Sequence, residues 1–164
     1  KGTLLQVWRG EFANVTEMWH SRGEPQILMP EGLLIGLDGK SNFVNTITST
    51  SAWPDSSDFS FKGYYLDTQQ LPEIQYQNTS SSVYDKLAPI KDGLRRSIRV
   101  IGNPVTCYVA NASKIEQVDK ELYRINGDYY IRFTKGDKAT IRTIGNHQEL
   151  LLSVEKNRSY DIIW

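Results

Sequence analysis

The chain has 164 residues, 19 basic against 19 acidic, with 39% hydrophobic residues and a mean hydropathy of −0.46. That is long enough to bury a full core as a single domain, so residues 1–164 read as one domain. A formal net charge of zero gives none of the single-sign field that draws proteins to phosphate backbones or anionic lipid. No apolar run approaches the roughly 20 residues that span a bilayer, so neither a nucleic-acid partner nor membrane insertion is expected.

Short apolar or alternating runs bounded by turn residues recur from end to end, without a sustained i, i+3, i+4, i+7 pattern, and predict an all-β chain. In chain order the expected strands are residues 3–8, 32–37, 59–66, 73–77, 94–101, 105–110, 121–125, 129–133, 139–143, 149–154 and 160–163. Their spacing of about ten residues suits an antiparallel β-sandwich. Residues 12–23 are the least β-like part of the first half and read as a helical turn or a structured loop. Between residues 41 and 60 the composition turns to Asn, Thr and Ser around Trp53-Pro54-Asp55, which reads as a long surface loop. A second polar break covers residues 78–82.

The best local signal is the run from Leu122 to Phe133, where Asn126-Gly127 supplies the positive φ angles of a tight type I′ hairpin. Tyr129, Ile131 and Phe133 then share one face, while Tyr130 and Arg132 take the other. This hairpin is expected to be central to the sandwich. Cys107 alternates with Val105 and Val109 and reads as a small buried hydrophobe. One cysteine and two histidines offer neither the C-x-x-C-H text of covalent haem nor a histidine-rich metal site, so no cofactor or metal is expected. Residues 32–39, GLLIGLDG, match no nucleotide fingerprint.

The most distinctive text is Trp8-Arg9-Gly10-Glu11-Phe12 followed by Glu17-Met18-Trp19-His20-Ser21-Arg22-Gly23. Indoles offer broad apolar faces and arginine a planar donor fork, so Trp8, Arg9, Trp19, His20 and Arg22 form a candidate binding cluster that stacks on a sugar ring and bonds its hydroxyls. The competing reading has the same indoles plugging a small β core, with the arginines holding loop carbonyls.

At this cluster the chain resembles a known region. The runs from Val7 to Phe12 and Thr16 to Gly23, with Phe61-Lys62-Gly63-Tyr64-Tyr65-Leu66-Asp67, Pro72-Glu73-Ile74-Gln75-Tyr76 and Gly93-Leu94-Arg95-Arg96, look like a β-rich region of large exported bacterial proteins. Those proteins also carry c-type haem or sugar-dehydrogenase-like propeller domains. No catalytic residues are established for that region, so none carry over. The resemblance implies an extracytoplasmic accessory module, periplasmic or at the cell surface, and a fragment of a larger protein, because an upstream strand precedes the Trp-Arg-Gly text in the family. The layout is also similar to the supersandwich of mutarotase-like proteins, by analogy of fold alone. Four N-x-S/T sequons, at Asn14, Asn78, Asn111 and Asn157, are compatible with export.

Other chemistry is thinly marked. Glu17 and His20 stand three apart and would share a face if helical; His147 reads as a solvated turn residue. Asp55, Asp58, Asp67, Glu73 and Asp85 are candidates for a glycosidic carboxylate pair. Arg95 and Arg99 share a strand face with Ser97 while Arg96 points opposite, either as a solvated face or as one that pairs carboxylates or docks a partner. The expected function is a non-catalytic binding or assembly module whose partner is a saccharide or a neighbouring domain. The alternative is a carbohydrate-active enzyme using His20 or a carboxylate pair.

Overall fold

The computed structural model describes residues 3–16, 29–37, 39–137 and 139–164. Among them the strands are β1 (Gln6–Asn14), β2 (Met29–Gly36), β3 (Phe43–Val44), β4 (Ser60–Leu66), β5 (Pro72–Gln77), β6 (Ser81–Ile90), β7 (Gly93–Gly102), β8 (Val105–Ala112), β9 (Ile115–Asp119), β10 (Leu122–Ile125), β11 (Tyr129–Phe133), β12 (Ala139–Ile144), β13 (His147–Val154) and β14 (Asn157–Ile163). The protein is all-β, and every strand pairing is antiparallel.

Two sheets make an open sandwich. The larger has eight strands in the order β4-β5-β6-β7-β14-β11-β10-β9, and the smaller has four, β12-β13-β8-β3. Neighbouring hairpins build β4 to β7 and β9 to β11, and β14 joins the two runs by pairing with β7 on one side and β11 on the other. The inner faces supply one core, with Val83, Ile98, Ile131 and Ile162 from the large sheet against Val105, Cys107, Leu150 and Leu152 from the small one. These residues recur at every second position of their strands, as the pleat requires of a sheet with one wet face.

β1 and β2 form a separate two-stranded ribbon. Its base is held by Val7 and Ile35, which enter the core, while Phe12, Leu33 and Leu34 farther along are exposed. Gly10 and Gly32 face each other across it with φ of 144° and 147°. A Cβ on Gly32 would stand 2.1 Å from the Arg9 carbonyl oxygen, so the two backbones meet only because both residues lack side chains.

Several sequence expectations need correction. β1 continues to Asn14, so residues 12–14 are strand; the rest of the expectation for residues 12–23 lies outside the described residues apart from 15 and 16. β6 runs through residues that carried no strand expectation, because Asp85 interrupts its inward apolar positions and Pro89 reads as a breaker. Pro89 is tolerated because β5 ends opposite Lys86, so no neighbour on that side needs its N–H. β3 and β9 were also unexpected.

The polar stretch after Lys40 is no free surface loop. Ser41, Asn42, Phe43 and Val44 are buried, and Trp53 packs on Tyr108 at 4.8 Å between ring centres, against the outer face of the small sheet. Trp53 donates its indole N–H to the Ser41 carbonyl at 2.7 Å. Arg142, itself buried, donates to the Thr48 and Ser51 carbonyls at 2.7 and 2.8 Å while pairing with buried Glu149. Burying a cation here is tolerable because its carboxylate and both carbonyls are supplied.

The Asn126-Gly127 hairpin forms with the expected alternation, Asn126 and Gly127 having φ of 52° and 87°. Ile125 pairs with Tyr129, so Asp128 is a third loop residue. The hairpin is not central: β10 is second from the β9 edge, and the middle of the sheet belongs to β7 and β14. No atom would meet a Cβ on Gly127, so Gly127→Val acts through the backbone alone. Its expected effect is a loss of about 1–2 kcal/mol from the left-handed conformation, measured by urea unfolding. An unchanged midpoint would refute the claim that the turn demands glycine.

Candidate functional site

The outward residues of β5, β6, β7 and β14 line a groove of about 520 Å³ closed at one side by the turn after β11. Alternation sends Glu73, Tyr84, Lys86, Ser97 and Arg99 to this face, opposite the core residues Tyr76, Val83 and Ile98. The Arg99 guanidinium lies 3.7 Å from the Tyr84 ring centre and donates to Glu73 at 3.1 Å. Lys86 pairs with Asp67; the hydrogen bond from Lys86, with others from the Leu71 and Gln69 backbone, holds the Asp67 carboxyl below its usual range.

Across the groove stands Asp137, whose side chain is 9% exposed. Its Oδ1 receives Arg158 Nε at 3.0 Å, but its buried Oδ2 has no hydrogen-bond partner among the described residues. Burial pushes the Asp137 carboxyl above its ordinary pKa, and Arg158 and a backbone hydrogen bond at Thr134 recover only part of that shift. The groove therefore combines the Asp137 side chain, the flat Arg99–Tyr84 stack and the hydroxyls of Ser97, Thr134 and Ser159. Such a lining matches a polyhydroxylated ligand better than an apolar one.

Thr134 and Ser159 also line a second hollow of about 410 Å³ with Arg95, Arg132 and Asp161. Arg95 grips Asp161 with Nε at 2.7 Å and Nη2 at 3.1 Å, and Arg132 Nη2 reaches the same carboxylate at 2.7 Å. Burial alone would raise the Asp161 pKa; the two arginine hydrogen bonds outweigh it and hold the carboxyl below its usual value. One strand pair farther on, Glu116 likewise serves two cations, Lys114 at 2.5 Å and Arg124 at 2.9 Å.

The sandwich interior holds a different polar cluster. Arg96, 1% exposed, donates Nε and Nη2 to Asp85 at 2.9 and 2.5 Å and Nη1 to the Tyr160 hydroxyl at 3.1 Å. Burial would lower its pKa, but Asp85 reverses the direction and keeps it charged. A cavity of about 170 Å³ reaches this cluster from beneath the base of the ribbon, and along it Asn42 Nδ2 and Asn111 Oδ1 lack partners among the described residues. Burial pushes the Cys107 thiol up to about 12, so this cysteine is packing rather than a nucleophile.

Of the cluster singled out in the sequence, Trp8 and Arg9 lie on β1, while Trp19, His20 and Arg22, with Glu17, lie outside the described residues. Trp8 is half-buried and its indole N–H is committed to the Glu11 and Phe12 carbonyls at 3.2 and 2.8 Å. Trp8 and Arg9 border a hollow of about 290 Å³ with Pro89, Leu94 and Trp164. His147 opens β13 instead of lying in a turn, 3.4 Å from Glu149. Asp55, Asp67, Glu73 and Asp85 each pair with a separate cation, respectively Lys40, Lys86, Arg99 and Arg96, and Asp58 is exposed. Arg95 and Arg99 do share the outer face, whereas Arg96 is core.

The groove was hidden in the sequence because Asp137 lies far along the chain from Glu73, Tyr84 and Arg99. Among the described residues no three His, Cys, Asp or Glu side chains gather as a metal site, and no helix is long and apolar enough to cross a membrane. Comparison with models of known protein families, with curated proteins and with solved structures finds no match.

Removing Asp85 leaves the buried Arg96 charge uncompensated, so Asp85→Ala is expected to lose about 3–5 kcal/mol in chemical unfolding. A double Arg96→Met, Asp85→Leu variant should recover part of that loss, because neither charge is then buried alone. Equal stability of Asp85→Ala and the parent would show that the pair is solvated.

Proposed function

We propose that this chain is a non-catalytic saccharide-binding module of an exported multidomain bacterial protein, with the groove over β5, β6, β7 and β14 as its site. The observation that carries the proposal is a groove lined almost wholly by polar side chains, Asp137 among them. A carboxylate that lines such a groove accepts hydrogen bonds from sugar hydroxyls. The hydroxyls of Ser97, Thr134 and Ser159 and the Arg99–Tyr84 stack add the mixed polar and planar contacts that sugars use. Export, to the periplasm or the cell surface, is supported by the resemblance carried by residues 7–12 and 61–67.

An enzymatic reading is weaker. A glycosidase needs one carboxyl held protonated beside another free to stay charged and attack or activate water; the Asp137 pKa is raised, but Glu73 and Asp67 are tied to Arg99 and Lys86, and Asp137 itself to Arg158. Docking of a neighbouring domain is the second reading, favoured by the exposed Leu33, Leu34 and Phe12 on the ribbon and Phe61, Tyr64 and Tyr65 on β4. Such residues on unpaired edges fit a partner's surface.

A glycan microarray followed by titration calorimetry with the strongest ligand tests the site. Asp137→Ala is expected to weaken binding about tenfold or more, the worth of a hydrogen bond to a charged group, without lowering the melting temperature at pH 7. The sign follows from the raised folded pKa: stability contributed by the protonated carboxyl is full below the ordinary carboxyl pKa and is lost as pH rises through the folded value. At neutral pH the parent therefore carries a penalty that the alanine variant lacks. No glycan bound by the parent overturns the proposal, and binding lost in Trp8→Ala but kept in Asp137→Ala moves the site to the ribbon.

A further inference from the structure

We infer that the saccharide seated here is acidic, a polyuronate whose carboxylates rest on the Arg95–Asp161–Arg132 clamp while its hydroxyls meet the Asp137 groove. This deepens the saccharide reading and rests on it. The clamp and the groove are one continuous track, because Thr134 and Ser159 line both hollows.

Charge selects the ligand. The chain as a whole is neutral, yet on this face a single carboxylate, Asp161, answers two guanidinium groups, and a single carboxylate, Glu116, answers Lys114 and Arg124. Each trio keeps one uncancelled positive charge. Asp161 itself is 4% exposed, but Arg95 and Arg132 are 51% and 52% exposed, so their remaining N–H groups stay within reach of an anion from solution. Arg124 stands on β10 directly opposite Tyr130 of β11, two residues before Arg132. The positive strip therefore crosses from β7 through β14, β11 and β10 to β9. The steps from β14 to β9 alone span about 14 Å at ordinary strand spacing, room for several sugar rings.

A polyanion without hydroxyl donors fits this track less well. Glu73, Asp67 and Asp137 stand in or beside the groove, and they would repel a nucleic acid or an acidic peptide that lacks donors to offset them. Each ring of a polyuronate carries hydroxyl donors beside its carboxylate, so its hydroxyls meet the Asp137 groove at one end of the track and its carboxylates the arginines at the other. Arginine forks take carboxylates in two parallel hydrogen bonds, which gives the clamp orientation as well as attraction.

The test compares polygalacturonate with its methyl-esterified form, the same sugar without its charge, by affinity electrophoresis and titration calorimetry at two salt concentrations. The parent is expected to bind the acidic form about tenfold or more tightly than the ester, as loss of a charge-assisted contact implies, and more weakly at high salt. Arg132→Gln and Arg95→Gln should each reduce that preference and flatten the salt dependence, weakening the acidic form more than the ester. Each variant leaves Asp161 one arginine, and thermal unfolding checks that each is folded. Asp137→Ala should weaken both forms alike.

Equal affinity for the two forms, or a preference unmoved by both arginine variants, overturns the acidic assignment and leaves the saccharide reading standing. Polyglutamate or single-stranded DNA bound as tightly as polygalacturonate overturns both, because charge alone then suffices. Absence of binding to either form by a parent that binds a neutral glycan also overturns the acidic assignment, and a parent that binds no glycan at all overturns both.

Discussion

A buried guanidinium organises the sandwich. Arg96 projects from β7 into the space between the sheets, where Asp85 of β6, Tyr160 of β14 and Asn42 just before β3 take its donors and the Phe43 ring lies 5.3 Å away. A lone charge in that place would cost several kcal/mol, a large share of a domain's net stability, so its partners must arrive together. In register, Arg96 faces Leu87 on β6 and Tyr160 on β14. A slip of one residue in β7 would turn Arg96 to solvent, strand Asp85 and send the side chains of Arg95 and Ser97 inside. The pair thus makes the pairing of the central strands nearly all-or-none, and it draws the segment carrying β3 onto the same centre.

That inward commitment frees the other face. With β6 and β7 fixed by Asp85 and Arg96, the intervening positions hold Tyr84, Lys86, Ser97 and Arg99 in rows whose spacing comes from the pleat. Two regimes of electrostatics result on one pair of strands. Inside, charge is cancelled one for one; outside, near β14 and β9, cations outnumber the carboxylates they share. The outer arrangement tolerates imbalance because water screens it. Asp137 departs from that rule, being an acid that is both buried and half-satisfied.

Period-two text was sufficient to read most strands and the sandwich class, since Val105-Thr106-Cys107 or Tyr129 to Phe133 alternate cleanly. Reading failed where polar residues face inward. β6 was missed because Asp85 occupies a core position that only Arg96, eleven residues on, makes tenable. Residues 41–44 looked like loop because Ser41 and Asn42 are buried by what lies above them, not by their own hydrophobicity. The candidate site was legible only in pieces: Arg95 and Arg99 were put on one face, but nothing local shows that Asp161 and Asp137 come to meet them. Long-range antiparallel pairing carries that information, and a single sequence does not display it.

The tether made by Arg142 bears on the order in which this chain must assemble. Its two carbonyl acceptors precede it by 94 and 91 residues, so this anchor on the segment around Thr48 and Ser51 exists only once β12 and β13 have paired and aligned Arg142 with Glu149. Closing so long a loop is entropically slow and gains little until its far anchor exists. The same tether joins the segment after β3 to the pair β12–β13, so the outer face of the small sheet is closed by contacts far apart in sequence.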